Sequence, residues 1–176
     1  MRSSLLPPLT ELKGIVIPDD ATIESLVTAL MTVRKATRKS LFVHERITSE
    51  WFKVTVHGPR RLYLAHFNEV MACEDVAEKA IGESYKLGLI EDLLCVGAHP
   101  DYRDLLWDNK VFALGSYTFM DDYKPHGCGG YGQMGVSWSL PKEKIWVPSL
   151  CGYNLELDAY YVARYEGARF LLVGRD

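Results

Sequence analysis

Ile23, Leu26, Val27, Leu30 and Val33 recur at spacings of three and four residues, the repeat of one face of an α-helix. The pattern predicts a helix over residues 18–40, capped by Asp19 or Asp20, with Glu24 near its positive end. Arg34, Lys35, Arg38 and Lys39 crowd the last turns, where cations complement the helix dipole. Val76, Ala77, Ala80 and Ile81 share a face of a second predicted helix, residues 73–84. A third is predicted over 88–107, short and broken near Gly97 and Pro100. Strict alternation marks the strands. "WFKVTVHG" (Trp51–Gly58) and "RRLYLAHF" (Arg60–Phe67) read as a hairpin joined through a Gly-Pro turn.

After Trp107 the texture changes. "KVFALGSYTF" reads as a strand and "DDYKPHGCGGYGQ" as a Gly-rich loop. "MGVSWSL" and "KIWVPSL" read as short strands around a "PKEK" turn. "LELDAYYVA" and "ARFLLVG" close the chain, and Phe170–Val173 is apolar on both faces, as a central strand should be. Helices early and short strands late predict an α+β fold. In the "LELDAYYVA" strand, Leu155, Leu157 and Ala159 form one face, with Glu156, Asp158 and Tyr160 on the other, looking outward.

The length of 176 residues predicts one domain able to bury a genuine core, and 48% hydrophobic with 24% charged residues is an ordinary globular balance. A formal charge of −3 gives non-specific nucleic-acid binding no global support, so no nucleic-acid partner is expected. "MRSSLLPPLTELKG" has no signal-peptide core, and no stretch has the ~18 apolar residues of a membrane span. The chain is therefore expected to be soluble, cytoplasmic or virion-associated, without membrane insertion.

Candidate chemistry is sparse. His44, His57, His66, His99 and His126 form no metal-ligand spacing, and Cys73, Cys95, Cys128 and Cys151 contain no C-x-x-C. No metal or cofactor is expected. Cys73 and Cys95 fall in apolar helical pattern and read as buried thiols. "HGCGG" (His126–Gly130) places a His and a Cys two apart, and "GCGGYG" lacks the strand-to-helix context of a phosphate loop. Trp107–Asn109, "WDN", resembles a calcium-lectin motif in the wrong order, and turn chemistry accounts for it better. The sequence offers no catalytic constellation.

The end of the chain is different. Cys151, Gly152, Tyr153, Asn154, Asp158, Tyr160, Tyr161, Arg164, Tyr165 and Gly167 interleave with apolar positions. Tyrosine with Asn, Asp and Gly is the composition of a recognition surface, and also of an antiparallel sheet with cross-strand tyrosine pairs. "FALGSYTF" (Phe112–Phe119), "WVPSL" (Trp146–Leu150), "LEL" (Leu155–Leu157) and "ARFLLVGRD" (Ala168–Asp176) occur in that order. Upstream lies Tyr63–Leu94, which looks like a strand–helix–helix lead-in. This succession, over roughly residues 60–176, resembles the variable proteins of diversity-generating retroelements, found in phages, viruses and small-genomed bacteria and archaea.

The resemblance implies a C-type lectin fold of the formylglycine-generating-enzyme type, with "LGSY" and "ARFLLV" echoing that group's motifs. It implies residues 1–59 as an N-terminal extension, 60–176 as the lectin-like core, and a variable segment at 149–169. A reverse transcriptase corrupts the adenines of a template repeat, so Asn-type codons become many residues. The implied ligand-binding surface is Gly152, Tyr153, Asn154, Asp158, Tyr160, Tyr161, Arg164, Tyr165 and Gly167. Leu155, Leu157, Phe170, Leu171 and Leu172 are the implied scaffold. The expected activity is binding of an unknown protein or surface ligand, without catalysis. Two alternatives stand beside it: a small enzyme using His126, Cys128 or His99 of the Gly-rich region 124–132 and its surroundings, and a phage accessory inhibitor with a fixed surface.

Overall fold

A computed structural model of the protein describes residues 5–35, 41–106, 110–119, 131–133, 145–152, 154–160, 164–165 and 167–174. The elements are β1 (Leu9–Leu12), β2 (Val16–Ile17), α1 (Ile23–Lys35), β3 (Phe42–Val43), β4 (Gly58–Pro59) and β5 (Leu62–His66). They continue with β6 (Met71–Ala72), α2 (Cys73–Gly82), β7 (Lys86–Leu87), α3 (Ile90–Ala98), β8 (Val111–Phe112) and β9 (Ser116–Phe119). The rest are β10 (Tyr131–Gln133), β11 (Ile145–Cys151), β12 (Asn154–Ala159), β13 (Arg164–Tyr165) and β14 (Arg169–Val173). Helices on a large mixed sheet make the fold α+β, as the texture of the sequence predicts.

The main path through that sheet is β1-β5-β14-β8-β11-β12-β3, which puts β14 well inside it. Side-chain alternation then feeds two cores. Leu62, Leu64, Leu171, Val173, Leu150 and Leu155 pack on one face with α1 and α3. Ala65, Phe170, Leu172, Ile145, Val147 and Phe112 pack on the other with Val76, Ala77 and Ala80 of α2. Phe112 stacks on Phe170 at 5.4 Å, and Phe67 meets the same ring edge-on at 5.9 Å. The doubly apolar run Phe170–Val173 thus has a direct cause: its strand is covered on both sides.

Several expectations are corrected. The first helix starts at Ile23 and its cap is Thr22, not Asp19 or Asp20. Thr22 Oγ1 accepts the Ser25 N–H at 3.1 Å, and Ser25 Oγ accepts the Thr22 N–H at 2.9 Å, a reciprocal box that two aspartates further upstream cannot form. Residues 36–40 lie outside the described residues. The hairpin over Trp51–Phe67 does not form. Both edges of β5 are taken, by β1 and β14, so no ladder position remains for residues 51–57. That segment crosses the helix layer instead: Phe52 is buried in the first core, and Thr55 gives its N–H and Oγ1–H to Glu91, each at 2.9 Å.

The third helix is short and stops near Gly97 and Pro100, as expected: Gly97 stays helical, where an added Cβ would lie 2.6 Å from Leu150 Cδ2, and the helix ends at Ala98 before the 3-10 turn Pro100–Tyr102. The strand expected over residues 110–119 divides into β8 and β9. The chain leaves the ladder between them so that Gly115 can donate to Gly88 O at 2.8 Å. The end of the Gly-rich loop, Tyr131–Gln133, is a strand paired with β9. Residues 120–130, 134–144 and the Trp107–Asn109 motif lie outside the described residues.

Candidate functional site

β11 and β12 form a hairpin in the register Cys151↔Asn154, Leu150↔Leu155, Ser149↔Glu156 and Val147↔Asp158. Leu155 and Leu157 face the first core, so Asn154, Glu156 and Asp158 share the opposite face, as the alternation of the sequence predicts. β3 extends this surface by parallel pairing of Phe42 with Asn154. The tip is fixed by Gly152, which adopts φ 55° and donates its N–H to Leu106 O at 2.9 Å. Gly167 also has a left-handed backbone, φ 70°. A side chain at either position is strained, which sets Gly152 and Gly167 apart from the freely exchangeable contacts implied by the resemblance.

A polar cluster spans three strands on this face. Lys110, entering β8, places Nζ 3.0 and 3.2 Å from the two carboxylate oxygens of Asp158 and 3.4 Å from Glu156 Oε2. Ser149 Oγ donates a close hydrogen bond to Asp158 Oδ2. Side-chain exposure falls from 38% at Glu156 to 20% at Lys110 and 12% at Asp158, so the cluster has an open rim and a closed floor. Asp158 therefore ties β8, β11 and β12 together rather than facing a partner. Its charge also reaches Cys73, at the start of α2. Burial first, and Asp158 second, push the Cys73 thiol up to about 12, so it is protonated near neutral pH.

Tyr160 is the largest departure. Its outward placement does not hold: the residue is 1% exposed and its ring lies in the second core with Cys73, Val147 and Met71. The periodicity is right, but the face it points to is covered by α2 at this end of β12. Its hydroxyl has no hydrogen-bond partner among the described residues. Burial, then the nearby Cys73, Glu78 and Asp75, raise its ionisation well above the ordinary tyrosine value. Arg164 and Tyr165 pair as β13 with Ala72 and Met71 of β6. Tyr153 and Tyr161 lie outside the described residues. Among the implied contacts whose side chains are described, Asn154 is the exposed one.

Of the residues of the enzymatic alternative, His99 is described, and it lies away from the hairpin. His126 and Cys128 lie outside the described residues. His99 lines a cleft of about 260 Å³ between α1, α3 and the β1–β2 turn, together with Leu26, Ala29 and Cys95. His99 Nδ1 accepts the Asp101 N–H at 3.2 Å. The Cys95 thiol is pushed up to about 12 by burial and by Asp92 and Glu91, so it offers no thiolate near neutral pH. Among the described residues no group of three or more His, Cys, Asp or Glu side chains is gathered as for a metal ion. Nor is any helix of the described residues long and apolar enough to cross a membrane.

What sequence reading missed at this site is Lys110, Ser149 and Phe42. Each belongs to a separate stretch, and only the sheet order makes them neighbours of β12. Comparison of the chain with protein-family models, with curated proteins and with solved structures finds no match.

Proposed function

We propose that this is a binding protein of the retroelement-diversified kind, in which a C-type lectin-like frame presents the outer face of its C-terminal hairpin to a partner. The observation that carries the reading is the two-faced β12. Leu155 is fully buried while its neighbour Asn154 is exposed, so contact residues alternate with anchors one position apart. Such an arrangement lets an exposed side chain change with little effect on the fold. The strand–helix–helix order of β5, α2 and α3 supports the lectin-like part of the proposal, as does the use of "LGSY" as a joint. Gly115 leaves room where a Cβ would lie 2.6 Å from Leu87 O, and Ser116 Oγ accepts the Ile90 N–H at 2.9 Å to start α3.

The contact surface proposed is narrower than the full tyrosine-rich segment. It comprises Asn154 and the rim around it, and Tyr153, Tyr161, Arg164 and Tyr165 enter it on the resemblance alone. Tyr160 and Asp158 belong to the frame, and Gly152 and Gly167 to its turns. The decisive test is genetic. Sequencing the DNA beyond the coding region should reveal a near-copy of the segment for residues 149–169, differing mainly at adenines, next to a reverse-transcriptase gene. Flanking DNA with neither feature would overturn the diversification. A diversified segment whose changes fall on the codons of Leu155 and Phe170 rather than Asn154 would overturn the assignment of faces.

A further inference from the structure

The β3–β12 corner has a composition of its own. Phe42 is 57% exposed, and as the register partner of Asn154 it stands on the Asn154 face, since Val43 packs with Leu155 on the other. β3 ends the main strand path, and nothing among the described residues pairs with its outer edge. Two positions along β12 from Asn154, the Glu156 carboxylate lies at the open rim of the polar cluster. The Lys110 ammonium sits 3.0 Å from Asp158 and 3.4 Å from Glu156, so the carboxylate at the rim holds the longer of the two contacts. An ionised carboxylate offers about four acceptor sites, and the Glu156 side chain, 38% exposed, uses one of its oxygens on Lys110.

An exposed aromatic ring near a carboxylate at the rim and a side-chain amide is complementary to one group above others. A guanidinium pairs with a carboxylate through two parallel N–H donors and lies flat on an aromatic face. A lysine ammonium is a compact, strongly hydrated charge with weaker stacking, and an acidic or purely apolar segment leaves Glu156 desolvated and unpaired. We infer that this corner receives an arginine side chain of a protein partner, with Phe42 and Glu156 as its fixed platform and Asn154 beside it as the adjustable contact. The inference rests on the recognition role proposed above and adds the chemistry of the partner.

The test pans a phage-displayed library of random nonapeptides on the full chain, then measures the selected peptides against F42A, E156Q and N154A proteins. Phe42 and Asn154 are exposed and Glu156 is half-buried at the rim, and unchanged melting temperatures confirm intact folds; E156D, which keeps the charge, serves as the conservative control. The expected result is a selected pool several-fold enriched in arginine. Its members should bind F42A and E156Q about tenfold more weakly, bind E156D nearly as well as wild type, and lose affinity with added salt. A pool without arginine excess, weakened by N154A but not by E156Q, would overturn the arginine platform and leave the hairpin surface standing. A pool indifferent to all three substitutions, or no pool, would overturn both.

Discussion

Asp158 and Asn154 lie on the same strand and face, and the structure gives them opposite roles. Asp158 takes a lysine and a serine hydroxyl at the closed floor of the cluster, whereas Asn154 stands in water. Replacing Asp158 by Ala strips Lys110 of its nearer counter-ion and Ser149 of its acceptor, and should cost about 1–3 kcal/mol in urea unfolding. Asn154→Ala should stay within about 0.5 kcal/mol. Equal costs would mean that exposure does not separate frame from contact here. Tyr160 gives a second contrast. Its buried hydroxyl lacks a partner among the described residues, so Tyr160→Phe should be neutral or stabilising by up to about 1 kcal/mol. Tyr160→Ala empties a ring-sized site and should cost about 3–5 kcal/mol. A large loss from the Phe variant would show that the hydroxyl is hydrogen-bonded after all.

Among the elements, the strands with the clearest period were legible in the sequence: β12 by its two-residue alternation and β14 by being apolar at every position. The helices α1, α2 and α3 were legible too, because each carries a continuous apolar face. Trp51–Gly58 misled because alternation reports two-sided surroundings, not a hydrogen-bonded neighbour, and β5 had no free edge to offer. The "LGSY" joint is invisible to periodicity, since its residues act through backbone approach and a single cap. Ser116→Ala should leave the buried Ile90 N–H without an acceptor and cost about 1–2 kcal/mol, while Gly115→Ala should destabilise by forcing β9 away from Leu87. Thermal unfolding in the two variants checks both. The start of α1 offers a pH test. Hydrogen bonds from the Ser49 hydroxyl and N–H hold the Glu24 carboxyl below its ordinary 4.5. A lowered folded value means stability that is present above the unfolded value and lost as pH falls through the folded one. The stability difference between wild type and Glu24→Gln should therefore shrink below pH 4.5. Because Glu24 is largely solvated, the effect should be small and weakened by salt.

For the whole molecule, the sheet is a middle layer, and that changes which residues of the C-terminal segment can meet a partner. A sheet with one bare face would leave every second residue of β11, β12 and β14 exchangeable. Here α2 packs with Tyr160, Val147 and Phe170 in the second core on that face, and among the described residues Phe42 and Asn154 at the β3–β12 corner are exposed. A saturation library over residues 145–174, sorted for folded protein by surface display, should separate the two arrangements. Substitution should be tolerated broadly at Asn154 and Glu156 and rejected at Leu155, Tyr160, Phe170, Leu171 and Leu172, with Asp158 closer to the second group. Gly152 and Gly167 should accept Asn best, because their positive φ penalises a branched side chain most. Tolerance at Tyr160 equal to that at Asn154 would mean that α2 does not close over the end of β12, and the tyrosine would return to the contact surface. The reason this boundary could not be read from the chain is that residues 73–80, which bury Tyr160, precede it by some eighty positions and carry no sign of which face they will cover.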